Sequence, residues 1–256
     1  MPRKLDHTAA CEYLSRVDRR LARLIQRSGE CLLQPENTQN IFEALMEAII
    51  YQQLNGKVAA TITERVKGLF PENTKRVRTR RGLVNGFPAP DQILAASDEQ
   101  LRSAGLSRAK MLAIRDLAAK IVDGTVPTVK QAHRMSDEEL IEQIDTVRGI
   151  GRWTVEMLLL FRLGRPDVLP VDDYGVRKGF ARLHKLKELP KPKELLAYGE
   201  RWRPYRSVAS WYLWRAAEMK SLPISGGDAT HRASGKETSG KRSRVGSARK
   251  LAAHKP

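Results

Sequence analysis

From Ile41 to Phe180 the apolar residues recur at helical period in segment after segment, and almost nowhere do they alternate as a strand requires. Ile41, Leu45, Ile49, Ala59, Ile62 and Val66 fall on recurring faces and Pro71 closes the run, which reads as one long helix or as two joined near Asn55 and Gly56. Asp91 to Ala104, Ser107 to Val122 and Ser136 to Val147 read as further helices. Ser107 supplies a capping hydroxyl, and Ser136 with Glu139 forms a capping box that starts a helix at Asp137. A chain patterned this way builds an all-α fold. The segment 72–90 departs from the pattern: Val77 to Val84 alternates weakly and Lys75, Arg76, Arg78, Arg80 and Arg81 crowd it. Between two Pro-containing turns it reads as a basic loop, either a solvated excursion or one that contacts phosphate.

The 256 residues are 41% hydrophobic, enough to bury a core, and carry a formal charge of +17 with a pI near 10.2. Such a charge attracts an extended polyanion before any specific contact forms, which favours nucleic acid over an anionic membrane surface. No apolar run is long enough to span a bilayer, and Met1 to Arg20 is charged throughout without a signal-peptide core. The expectation is a soluble monomer with no membrane partner, cytoplasmic and nucleoid-associated in a bacterium, nuclear in a eukaryote. Cys11 and Cys31 are too few for a disulfide framework or for the four thiolates of an iron–sulfur cluster. From about Ser225 onward large apolar residues are scarce, and eight lysines and arginines face only Asp228 and Glu237. Residues 225–256 therefore read as a disordered basic tail, a solvated extension or a nonspecific DNA tether.

Chemistry concentrates between Val147 and Phe180. Arg148-Gly149-Ile150-Gly151-Arg152-Trp153-Thr154 joins the capped helix to the apolar run Val155 to Leu163. Gly149 and Gly151 permit positive φ and present no Cβ, while Ile150 can plug between the helices. The free N–H groups of the second helix then face outward, where they bind a phosphate oxygen without reading sequence, with Arg148 and Arg152 beside them. Beyond lies Leu169-Pro170-Val171-Asp172-Asp173-Tyr174-Gly175, extended chain leading into a helix from Tyr174 to Leu183. One aspartate can cap that helix; the other is left free or facing the same cleft.

A Gly-x-Gly turn, an apolar helix and an aspartate behind a Pro-containing loop, in that order, resemble the helix-hairpin-helix, Gly/Pro-rich loop, Asp superfamily of DNA glycosylases. Gly151-Arg152-Trp153-Thr154 followed by Asp167-Val168-Leu169-Pro170-Val171-Asp172-Asp173-Tyr174 is similar to its 3-methyladenine glycosylase II branch. Ala48 to Leu54, Leu101 to Ser107 with Lys110, and Glu200 to Ser207 extend the likeness over roughly Ile41 to Arg215. The resemblance implies two helical subdomains with the active-site cleft between them, without the N-terminal β-domain of the bacterial inducible enzyme. The expected layout is an N-terminal helical segment, 1–40, packing with C-terminal helices at 186–224. Between them runs a core, 41–185, that holds the hairpin at about 136–163 and the Asp loop.

What the resemblance implies for residues is specific. Aligned from the threonine, Asp173 is the catalytic aspartate; counted from Pro170, as in the oxidised-guanine branch, Asp172 is. Trp153, Tyr174 and Trp214 fall at aromatic pocket positions, with Trp211 close by, Met157 in place of an aromatic, and Trp202 in the core. Gln53 or Leu54 is the wedge that fills the gap left by a flipped base, with Gln52 beside it. Arg148, Gly149, Ile150, Gly151, Arg152 and Thr154 meet DNA, and a monovalent cation can bridge the Gly149–Gly151 turn to a phosphate. No catalytic metal and no cofactor are implied. The superfamily's lyase members carry a lysine two residues after the second glycine; Trp153 stands there, so water is the expected nucleophile and an abasic site the product. The implied substrate is duplex DNA bearing alkylated purines. A glycosylase for ethenoadenine or uracil, or a non-catalytic DNA-binding module, are the competing readings.

Overall fold

Side-chain caps set most of the helix starts. Asp6 opens α1 (His7–Val17), and Asp18 opens α2 (Arg19–Ser28) by accepting the Arg20 and Leu21 amides. The computed structural model describes residues 6–36, 40–71, 76–79 and 82–220, so the expected tail from 225 lies outside the described residues. The Ile41 to Val66 stretch is two helices, α3 (Ile41–Tyr51) and α4 (Gly56–Gly68), the second capped by Asn55. The bend between them places Gln53 in the left-handed region, φ 58°. Asp91 to Ala104 is also split, because Ser97 caps a second start: α5 (Pro90–Ala95) is followed by α6 (Asp98–Ser103). Then come α7 (Arg108–Val122) on its Ser107 cap, α8 (Val129–Ala132), and α9 (Asp137–Asp145) with the Ser136–Glu139 box in place. The last four are α10 (Arg152–Phe161), α11 (Tyr174–His184), α12 (Pro192–Gly199) and α13 (Arg206–Glu218).

The basic loop expected over 72–90 needs correction. It contains an antiparallel β-hairpin, β1 (Arg76–Thr79) with β2 (Gly82–Asn85), Arg76 opposite Asn85 and Thr79 opposite Gly82. A segment leaving a helical body must still pair its backbone groups, and a local ladder does so despite the weak alternation.

The helices form two bodies on a continuous core. One gathers α3 to α10 around Met46, Ile49, Ile114, Leu117, Ile144 and Leu159. In the other, α1 and α2 pack with α13, and α13 lies along α11. Asp18 ties this body together: its carboxylate, buried, accepts the Tyr198 hydroxyl at 3.1 Å and the Trp202 indole N–H at 3.0 Å, and Trp202 is fully buried as expected. Residues 6–36 contain no strand. The α11–α13 contact is the tightest: a Cβ on Gly179 would stand 1.9 Å from the Leu213 carbonyl oxygen, so only glycine admits this approach. The bodies meet where Phe161 of α10 stacks on Trp214 of α13, and there the Glu36 amide, in the segment between α2 and α3, donates to the Phe161 carbonyl.

Candidate active site

Three helices converge on one carboxylate at this seam. The Asp173 amide closes a turn onto the Pro170 carbonyl, 3.0 Å, which aims the side chain back at the start of α11. There Oδ1 accepts the Val176 amide at 2.8 Å as the helix cap. The same Oδ1 accepts the Trp214 indole N–H from α13 at 2.8 Å, and Oδ2 accepts that of Trp153 from α10 at 2.9 Å. Asp173 is 5% exposed, and these donors offset the cost of removing its carboxylate from water. Capping and site-facing roles, which sequence divides between two aspartates, thus fall on Asp173 alone. Asp172 is exposed.

The expected aromatic set divides. Trp153 and Trp214, both half-buried, stand at Asp173 and meet it through their N–H groups; Phe161 stacks on Trp214 at 5.6 Å. Tyr174, the first residue of α11, is 47% exposed beside them. Met157 and Trp211 are instead buried in the core, Trp211 edge-on to Tyr212 with Arg215 over its ring. Their apolar bulk is spent on packing, since each lies on the inward face of its helix.

Two neighbours escape the sequence reading. Gly175 lies under Trp214: a Cβ there would come within 2.7 Å of the indole Cδ1 and 3.1 Å of Asp173 Oδ1, so its absence lets Trp214 reach the carboxylate. Glu156 is buried inside α10, with Arg152 Nε at 3.3 Å. Burial raises its carboxyl to about 7 against the attraction of Arg152, and Asp172 adds to the rise. A lone acid within the apolar run Val155 to Phe161 was the available signal.

The glycine turn forms as expected. Gly149 has φ 75°, Ile150 is buried with its amide on the Val147 carbonyl, and Gly151 caps α10 without a side chain. Thr154 is buried one turn later, its amide on the Gly151 carbonyl at 2.8 Å, so it sits behind the turn and not on its outer face. Arg148 is exposed. Arg152 is exposed, but its guanidinium forks onto Glu138 at 2.7 and 2.9 Å and also meets Glu156, so its charge is already paired within the chain. Thr146 accepts from the Lys120 ammonium and Gly149 from the Gln52 amide, 2.9 Å. An ammonium thus already stands at the Thr146 carbonyl, whereas the Gly149 carbonyl, with a neutral amide on it, keeps a second lone pair of the kind a monovalent cation would need. Of the wedge candidates, Gln53 is exposed, Gln52 is tied to the turn, and Leu54 packs against the core.

With this geometry in hand, the kinship is plain. The family described as "HhH-GPD superfamily base excision DNA repair protein" matches residues 46–204, and the chain belongs to that superfamily. Within it, the chain is similar to DNA-3-methyladenine glycosylase 1 of Schizosaccharomyces pombe, 35% identical over 215 residues that cover 83% of this chain and 88% of that protein. A solved structure of the 3-methyladenine DNA glycosylase from that organism, in complex with abasic DNA, superposes with a TM-score of 0.67 over 83% of this chain and 98% of that one. The DNA-3-methyladenine glycosidase of Bacillus halodurans, 32% identical, gives 0.71 over 84% and 91%.

Proposed function

We propose that the protein is a monofunctional DNA glycosylase that binds damaged duplex DNA as a monomer, flips out N3-alkyladenine or N7-alkylguanine, and hydrolyses its N-glycosidic bond. The observation that carries this reading is the buried Asp173 carboxylate at the seam, held by two indole N–H groups and a helix amide. The glycosidic carbon is inaccessible within a stacked duplex, so the nucleotide must leave the stack, and Gln53, exposed at the bend after α3, would fill its position. The glycine turn, its outward amides, Arg148 and a monovalent cation on the turn carbonyls would hold the phosphates.

An alkylated purine carries positive charge, which favours the π faces of Trp153, Trp214 and Tyr174 over water. When the bond from C1′ to the base nitrogen breaks, its electron pair neutralises the purine and C1′ gains oxocarbenium character. Asp173 stabilises that charge electrostatically. Its two oxygens offer about four acceptor sites, of which three are filled, so one remains for a water. The water oxygen bonds to C1′, and its proton passes to the carboxylate and on to solvent. The leaving group is already cationic, so no separate acid is required. Trp153 occupies the position of the lyase lysine, which supports hydrolysis without strand cleavage.

Incubating the protein with duplexes bearing N3-methyladenine, N7-methylguanine, ethenoadenine or uracil tests this directly. Release of the methylated purines, abolished in Asp173→Asn and retained in Asp172→Asn, is expected. Release from no duplex would overturn the enzymatic reading, loss only in Asp172→Asn would reverse the residue assignment, and strand scission without alkali would refute hydrolysis.

A further inference from the structure

Two loops carry the residues expected at DNA, the 52–55 bend and the 146–151 turn, and both are fastened to one face of α7. Lys110 Nζ donates to the Ile50 carbonyl at 2.7 Å and the Gln52 carbonyl at 2.9 Å. One turn on, Ala113 lies where a Gly149 Cβ would touch it at 3.6 Å. One turn further, Asp116 Oδ2 accepts the Arg148 amide at 2.7 Å and the Lys120 ammonium at 3.1 Å, and Lys120 also reaches the Thr146 carbonyl. The Gln52 side chain closes the circuit on the Gly149 carbonyl.

Resting on the glycosylase reading, we propose that Lys110 is a positioning residue for base extrusion: it clamps the end of α3 so that Gln53 stands at a fixed offset from the glycine turn, and phosphate contact at the turn delivers Gln53 into the duplex. The last carbonyls of a helix lack partners within it, and a cation there also meets the negative end of the helix dipole. Gln53 has φ 58°, a conformation that a residue other than glycine keeps only where its surroundings over-determine it. Here those surroundings are the Lys110 clamp on one side and the Gln52–Gly149 bond on the other. Lys110 is half-buried, and desolvation lowers its pKa from the usual lysine value, as a structural ammonium held off solvent would show.

A positioning role differs from a purely structural one in its dependence on extrusion. The full chain and its Lys110→Met variant are compared for single-turnover release of N7-methylguanine from a paired duplex and from one with the lesion opposite an abasic site, where no base pair opposes flipping. Affinity for undamaged duplex and 2-aminopurine fluorescence beside the lesion are followed in parallel. Lys110→Met should lose about tenfold or more on the paired substrate, with a smaller fluorescence rise, yet stay within about threefold on the unpaired one and bind undamaged duplex as before. Lys110→Arg, which keeps a cationic donor, should recover most of the loss. An equal loss on both substrates, or none on either, would overturn the proposal. If Lys110→Met does not fold, Lys110→Gln, which is shorter and uncharged, decides by the same criterion. Wild-type protein that releases no base from either substrate would instead reject the glycosylase reading itself.

Discussion

Replacing Gly179 by alanine asks whether the α11–α13 contact sets the geometry at Asp173. The new Cβ would stand 1.9 Å from the Leu213 carbonyl oxygen and 2.6 Å from its carbon, both backbone atoms that no rotamer change can move. A carbon–oxygen contact needs about 3.3 Å, so the helices must part by about 1.4 Å. The shift acts where it matters, because Asp173 caps α11 and Trp214 follows Leu213 directly on α13. Carried along the helices, it would stretch the 2.8 Å bond between them beyond hydrogen-bond range. Alanine gains up to about 1 kcal/mol in helix propensity, whereas overpacking against rigid backbone costs about 3 kcal/mol, so the clash wins. The net of about 2 kcal/mol should lower the melting temperature by about 4–8 °C. Misplacing the site by about 1 Å should cost on the order of 100-fold in single-turnover release of N7-methylguanine. Circular-dichroism melting and that rate measure both. A variant that melts within about 2 °C of wild type and releases base at the wild-type rate would refute the reasoning.

Trp214→Phe keeps the ring stack on Phe161 but removes one donor to the buried carboxylate, a bond worth about 1.5–3 kcal/mol; release should slow by about 10- to 100-fold with undamaged-duplex affinity unchanged, read by single-turnover assay and fluorescence anisotropy. Gly151→Ala places its Cβ where nothing lies within 4 Å, so the melting temperature should hold while affinity for undamaged duplex falls, because the methyl stands between the outward amides and a phosphate. For Glu156 the sign follows from a folded-state pKa raised to about 7. Between its ordinary value and about 7 the folded state holds the extra proton, so stability falls as pH rises through that window and the loss persists above it. Glu156→Gln should therefore stabilise the protein at pH 8 relative to pH 5, by up to about 3 kcal/mol in urea unfolding.

What was legible in the chain is what is written locally. The Ser107 and Ser136 caps, the glycine turn with its Ile150 plug, and an aspartate at the start of α11 each depend on residues within one or two turns. The division of Ile41 to Val66 was half-legible, since Asn55 is a good cap but periodicity continues through it. Local pattern is silent on where a side chain ends. Arg152 reads as a free cation at the turn until α9 brings Glu138 against it, and Gln52, set beside the wedge by resemblance, finds its partner only when the fold presents the Gly149 carbonyl. Met157 and Trp211 enter the pocket set only through positions matched to the family, and only packing shows that both lie on inward helix faces.

The choice of donors at Asp173 has a physical consequence for the chemistry. A buried carboxylate can be stabilised by a lysine or arginine, but an ion pair of that kind would cancel the negative potential that an oxocarbenium ion and a cationic purine need. Here no ion pair joins Asp173 among the described residues. Arg177, one turn into α11, donates to the Pro190 carbonyl, and the Lys178 ammonium lies 5.9 Å from the centre of the Tyr174 ring. Two indoles and an amide instead fix the carboxylate's orientation while leaving its charge uncompensated. Neutral donors of this reach must come from large rings set close to a helix start, which is why Gly175 and Gly179 lack side chains: one admits the Trp214 ring over α11, the other admits the helix that carries it. The electrostatics of the site thus depend on two absent methyl groups as directly as on the aspartate.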